Sequence, residues 1–378
     1  MFSMVGSKLH SERKRMISNI YSKSFLQSSP HLALISRTML FTRLLPILFQ
    51  SSQESSNVEV HDLNNAITMD FVTAYIFGLS SATNFLHDIP TRRKWLHLYQ
   101  CRKPYEFYHQ EVPNLTAWAR TLGLPLIPKW AETANDYMEE WGLDICDKAE
   151  ANIASTDPES EPVVYKQLKR SMSKQLPSKE DPTALKQQRL EIACELYDQL
   201  TAGHETSAVA LTYLYWQLSK NPDMQDELRD ELHQLSPPIL FPTETEPLPE
   251  LPPAKDIDAL PLLNAVVMET LRLHAPIPGI QPRITPSPSS TLASFDNIPP
   301  NTRVNAQAYS LHQNSDVFPE PGSWLPKRWL KPSDSAEMER MRRWFWAFGS
   351  GGRMCIGSNL ALQGTPVILS YLLLPRHL

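Results

Sequence analysis

The chain has 378 residues, 42% of them apolar, and its 36 Lys and Arg against 41 Asp and Glu give a formal charge of −5. Such a chain can bury a large core, and its mildly acidic balance gives no basis for expecting a nucleic-acid partner. The four cysteines, Cys101, Cys146, Cys194 and Cys355, show no Cys-x-x-Cys spacing and no paired framework, which argues against structural zinc and a disulfide scaffold and suits a reducing compartment.

Helical patterns dominate until the last third of the chain. The most apolar early stretch, Met39 to Phe49, contains Arg43 and Pro46 and falls short of the roughly 18 residues that a bilayer span needs. Asn114-Leu115-Thr116 has the form of a glycosylation sequon, a triplet that arises readily by chance. Residues 157–183 are polar and poorly patterned and read as a mobile connection with helical pieces. Helix formers then run from Leu185 to Asn221, closed by Pro222. The proline-rich stretch 236–256 reads as an exposed loop, and the next helix carries Glu269 and Arg272 and ends by Pro276. Ser287 to Asn301 reads as a turn-rich hairpin, and Thr302 to Tyr309, alternating in polarity, as the best strand. A last helix follows Cys355, from Ile356 to Leu362. At Gly364-Thr365-Pro366 it is expected to break or to restart at Pro366, since an internal proline costs a helix about 3 kcal/mol.

Three segments carry chemistry. Phe348 to Gly357 builds a socket around Cys355, with Gly351 and Gly357 free to adopt backbone shapes closed to other residues. The helix that follows presents its N-terminus to the sulfur and favours the thiolate, while Arg353 supplies a positive charge beside it. Ala202-Gly203-His204-Glu205-Thr206-Ser207 places a glycine in mid-helix, at a cost of about 1 kcal/mol, next to an acid and an alcohol able to relay protons. Glu269-x-x-Arg272 says little by itself, since Glu12/Arg15, Glu337/Arg340 and Glu339/Arg342 match the same pattern. Its position between the other two segments, with Arg328 in Pro326-Lys327-Arg328-Trp329 further on, sets it apart.

The Phe-x-x-Gly-x-Arg-x-Cys-x-Gly pattern of Phe348, Gly351, Arg353, Cys355 and Gly357 resembles the haem-binding loop of the cytochrome P450 monooxygenases, and the other two segments resemble that family's oxygen-activating helix and buried charge network. The resemblance implies a mainly α fold with small β-sheets, in a single domain over residues 1–378 that lacks the family's N-terminal helices and strands and its C-terminal strands. It implies heme b with Cys355 as the axial thiolate and metal ligand, Phe348 packed below the porphyrin, and Arg353 and Arg283 on the propionates. His312 falls where the family often places a further propionate donor, and His10 and Lys14 fall at the contact positions of a helix approaching from the other side. Ala202 and Gly203 would leave room for dioxygen above the iron, Glu205 and Thr206 would relay protons, and Glu269, Arg272 and Arg328 would form the network. Lys327 stands where the family usually has a glutamate.

Implied partners are NADPH-cytochrome P450 reductase, with cytochrome b5 as a further electron donor, and a lipophilic small-molecule substrate; Arg340, Arg342 and Arg343 read equally as a docking face for an acidic reductase or as a solvated helix face. The family sits on the cytosolic face of the endoplasmic reticulum membrane, whereas this chain without an anchor is expected to be soluble or peripheral. The resemblance to filamentous-fungal members, strongest from Leu196 to Leu362, points to secondary metabolism or xenobiotic oxidation. Two other readings stand beside it. One is a non-catalytic truncated remnant unable to hold haem. The other is a haem-thiolate isomerase or dehydratase, against which the Glu205-Thr206 pair counts.

Overall fold

A computed structural model of the chain describes residues 6–174, 181–240 and 248–373. These divide into two compact units, 1–205 and 206–378.

The first unit is helical: α1 (Ser7–Arg15), α2 (Lys23–Gln27), α3 (Pro30–Thr38), α4 (Leu45–Gln53), α5 (Val60–Phe77), α6 (Ile89–Gln110), α7 (Pro113–Thr121), α8 (Lys129–Ala151), α9 (Val163–Ser173) and most of α10 (Pro182–Ser219). Helix α5 is its axis, buried from Asn64 to Phe77 because most of its residues are apolar and its polar ones, such as Asp70, find partners inside the protein. Its ends are defined locally. The Glu59 carboxylate caps the free amides of the first turn, and Gly78 closes the last at φ 88°, so close to the Ser160 carbonyl that a β carbon would lie 2.8 Å from it. Asp70, buried on α5, accepts from the Phe85 and Leu86 amides and the Thr83 hydroxyl and pairs with Arg43 at 3.2 Å, tying α5 to its neighbours. Burial still holds its carboxyl above the usual range.

A π-helical turn, Met39–Leu44, joins α3 to α4. The resulting run, Pro30–Gln53, is by length and composition apolar enough to cross a membrane, its most apolar 18-residue stretch having a mean hydropathy of 1.6, although 44% of that stretch is buried inside the protein. Met39 to Phe49 is therefore part of a longer helical run than its sequence suggests. The stretch 157–183 also differs from expectation. It contains the helix α9, whose Val163, Val164, Leu168 and Met172 are buried and which packs on α5 and α8. Residues 175–180 lie outside the described residues.

The second unit holds the end of α10, then α11 (Pro222–Leu232), α12 (Ala254–Asp258), α13 (Pro261–Leu273), α14 (Ala308–His312), α15 (Ala336–Trp344) and α16 (Ser358–Leu373). Strands β1 (Ile280–Ile284) and β4 (Arg303–Gln307) form one antiparallel pair, with Arg283 opposite Val304; β2 (Ser290–Leu292) and β3 (Phe295–Ile298) form the expected hairpin. The strand expected to reach Tyr309 ends at Gln307, where the chain turns into α14. In the proline-rich loop, residues 236–240 and 248–253 are irregular, α12 begins at Ala254, and 241–247 lie outside the described residues.

Helix α16 does not break at Gly364-Thr365-Pro366 but continues to Leu373. It packs against α11, α12 and α13, and Ser370 donates to the Pro366 carbonyl at 2.7 Å. Burial of its apolar side chains outweighs the one lost backbone bond.

Candidate active site

In the second unit Cys355 sits in a loop closed on itself. Its amide donates to the Phe348 carbonyl at 2.8 Å, Met354 to Gly351 at 3.0 Å and Gly349 to Trp346 at 3.0 Å. The two turns need φ 69° at Gly349 and 71° at Gly351, a left-handed region that costs residues with a β carbon about 1–2 kcal/mol. Gly349 also admits the side chain of Gln281, whose Oε1 would lie 3.0 Å from a β carbon there. The Cys355 thiol is exposed, and the space where Gly357 would carry a β carbon lies 3.9 Å from Sγ, at the start of α16. Phe348 packs beside Phe345, Ala347 and Leu362 on Ala210, Val267 and Leu271. Arg353 is half-buried in the 3-10 turn before the cysteine. Arg283 shares a face of β1 with Gln281, two residues apart, and Gln281 reaches the loop through the Trp346 carbonyl at 3.4 Å.

Beside the loop lies the charge network expected from the sequence. Glu269, fully buried, accepts five hydrogen bonds: two from Arg272 at 2.8 and 2.9 Å, one from Arg328 at 3.1 Å, one from Trp329 Nε1 at 2.9 Å and one from the Leu325 amide at 2.9 Å. Arg272 spends its other donors on the His312, Pro321 and Ser323 carbonyls, and Arg328 on those of Pro319 and Glu320. With the Glu269 carboxylate fully engaged and all five Arg272 donors used, buried charge is tolerable here. Lys327 is outside the network and pairs with Glu227. The Trp329 contribution could not be read from the motif, because a tryptophan beside an arginine carries no signal that its indole N–H is inward.

His312 corrects the sequence expectation. It is fully buried, with Nδ1 on the Arg272 carbonyl and Nε2 accepting from the Trp346 amide, each at 2.8 Å, and its ring stacks on Phe345. Both ring nitrogens are occupied by protein, so none remains for a propionate. Burial drives its pKa down to about 4, and the neutral ring carries its proton on Nδ1. His312 is thus a strut between α13 and the segment leading into the cysteine loop.

In the first unit α10 presents Glu205 to α6. Lys103 Nζ lies 2.6 Å from Oε2, and the Tyr99 hydroxyl donates to the same oxygen at 3.3 Å. Burial beside that carboxylate pushes the Tyr99 phenol up, so it remains a donor. Gly203 has a reason the sequence does not reveal: a β carbon there would lie 3.1 and 3.2 Å from the two methyls of Val72 on α5. The room it leaves is filled by Val72, not held open. Thr206, half-buried, begins the second unit. His10, buried, and Lys14, half-buried, stand one turn apart on α1. Among the described residues no three His, Cys, Asp or Glu side chains converge to hold a bare metal ion. The accessible Cys355 sulfur at a helix start suits a metal that brings its remaining ligands with it, and the arginines suit acidic substituents on such a group.

The cytochrome P450 family model matches residues 1–375. Cytochrome P450 monooxygenase avaI of Aspergillus versicolor is 28% identical over 382 residues, spanning 98% of this chain and 83% of that protein. Cytochrome P450 monooxygenases tazI of Aspergillus terreus and orf2 of Aspergillus niger are 38% and 35% identical over 171 and 164 residues, in each case less than half of this chain and under a third of the relative. Since the match runs through both units, the chain belongs to the cytochrome P450 family of haem-thiolate monooxygenases, mainly helical proteins whose iron is held by a cysteine thiolate.

Proposed function

We propose that this chain inserts one oxygen atom of dioxygen into a lipophilic organic molecule, with Cys355 as the axial ligand of heme b, in fungal secondary metabolism or xenobiotic oxidation. The observation that carries the reading is the Cys355 loop, closed by three backbone bonds and leaving the sulfur accessible at the start of α16. When bound, the haem supplies oxygen activation with electrons passed singly from NADPH-cytochrome P450 reductase. The protein's own part is defined by its residues. The α16 N-terminus stabilises the thiolate, and Arg353 and Arg283 neutralise the propionates. Glu205 and Thr206 would hold and pass on the protons that the reaction consumes. The fungal monooxygenases that the chain resembles support this reading. With the reductase, isotopically labelled dioxygen and a panel of lipophilic compounds, the haem-loaded chain should place one labelled atom in a product, and Cys355→Ala should place none. Labelled product from Cys355→Ala would overturn the assignment.

The same reading extends to location. From Val112 to Trp130 the chain has no acidic residue, and its only charges are Arg120 and Lys129. Leu115, Trp118, Leu122, Leu124 and Trp130 are exposed there, Trp118 by 61% and Leu124 by 67%. Arg120 pairs with Glu132 at 3.4 Å, so it is the exposed apolar surface, with Lys129 at its edge, that suits peripheral docking on a membrane such as the cytosolic face of the endoplasmic reticulum. The protein should float with anionic phospholipid vesicles, and Trp118→Ser with Leu122→Ser should release it. Equal flotation by the double variant would remove this surface from the account.

A further inference from the structure

The carboxylate side of Glu205 is held from α6, but its backbone is held from α5. Thr68 is buried, and its Oγ1 lies 2.7 Å from the Asn64 carbonyl of its own helix and 2.9 Å from the His204 carbonyl of α10. The one hydroxyl proton is shared between the local back-bond that a helical threonine often makes and a carbonyl 136 residues away in sequence, which α10 already uses in its own ladder. A helix carbonyl that takes a second donor tilts out of the axis and bends the helix at that point. One turn further along the same face of α5 stands Val72, against the bare backbone of Gly203. Two side chains of α5, the Thr68 hydroxyl and the Val72 methyls, therefore press on the α10 backbone just before Glu205. His204 itself is buried between them and the rings of Trp95 and Tyr99, its Nδ1 on the Leu200 carbonyl and its Nε2 without a protein partner.

The peptide group linking His204 to Glu205 is a rigid plane, so fixing the His204 carbonyl fixes the Glu205 amide and α carbon. We infer that Thr68 is a positioning residue for Glu205, its hydroxyl orienting the His204–Glu205 peptide so that the carboxylate leaves α10 toward Lys103 and Tyr99. The inference rests on the reading of Glu205 as part of the proton path only for its consequence in catalysis. The grip itself is a property of the protein with or without haem.

Thr68→Val removes the hydroxyl at nearly constant volume, and Thr68→Ser keeps it. By amide hydrogen exchange on the full chain, Thr68→Val should speed exchange of the Glu205 to Ala208 amides about tenfold, the scale of one buried hydrogen bond, with the rest of α5 and α10 unchanged and Thr68→Ser like the parent. In the haem-loaded enzyme, peroxide released per NADPH consumed should rise in Thr68→Val to the level of Glu205→Gln, with no further rise in the double variant. Parental exchange in Thr68→Val, equal change in both variants, or loss of protection spread along α5 would overturn the inference. If Glu205→Gln alone leaves peroxide release unchanged, the proton path fails, while the exchange data still decide the role of Thr68.

Discussion

Glu269 is the residue on which the second unit's polar core converges, with five donors on one carboxylate and no solvent to replace any of them. Glu269→Gln preserves its shape but leaves Arg272 and Arg328 buried without a counter-charge, and should lower the unfolding free energy by about 3–5 kcal/mol in urea titrations. A loss below about 1 kcal/mol would mean that the arginines are compensated elsewhere. His204 and His312 make an opposite kind of demand, since burial lowers both to about 4 from an ordinary 6.5. Between those values the unfolded chain binds more protons than the folded one, so stability falls as pH drops from 6.5 toward 4. Each histidine contributes about 3 kcal/mol over that window by linkage. Urea midpoints at pH 7 and pH 5 should show the fall, and His312→Leu should flatten it. An unchanged pH dependence in that variant would mean that His312 does not enter the core neutral.

At the scale of elements, α10 carries the site and its packing explains its sequence. Gly203→Ala gains about 1 kcal/mol of helix propensity but drives a methyl to 3.1 Å from Val72, so the variant should be net destabilised by about 1 kcal/mol, with Val72→Ala in the same chain restoring the parental value. A stabilised Gly203→Ala would show that α5 yields freely. The limits of α10, the β2–β3 hairpin and the Glu269, Arg272 and Arg328 contacts were legible in the sequence, because capping, turn chemistry and a buried ion triad are written in residue types at fixed spacings. Other elements depend on partners distant in the chain. Residues 163–173 look polar because one narrow apolar face suffices to bury α9, and α16 passes Pro366 because three helices pack on it. A π-helical turn, which leaves no compositional mark, fuses α3 to α4. His312 was misplaced for the same reason: its motif position marks a polar contact but does not say whether a cofactor or the Trp346 amide receives it.

At the scale of the whole molecule, two units of different construction share one family match over residues 1–375. The first is a helical assembly around α5 that offers Glu205 with its neighbours from α5 and α6; the second is built on α13 and sets the cysteine loop beside the Glu269 charge network. The central claim, that this chain binds haem through the Cys355 thiolate, can be read in one spectrum of the purified chain. Expressed with a haem precursor, reduced and exposed to carbon monoxide, the protein should show the strongly red-shifted Soret band of a thiolate-ligated iron, and Cys355→Ala should not. Absence of haem from the purified chain, or a band at the position given by a neutral or displaced axial ligand, would contradict the account.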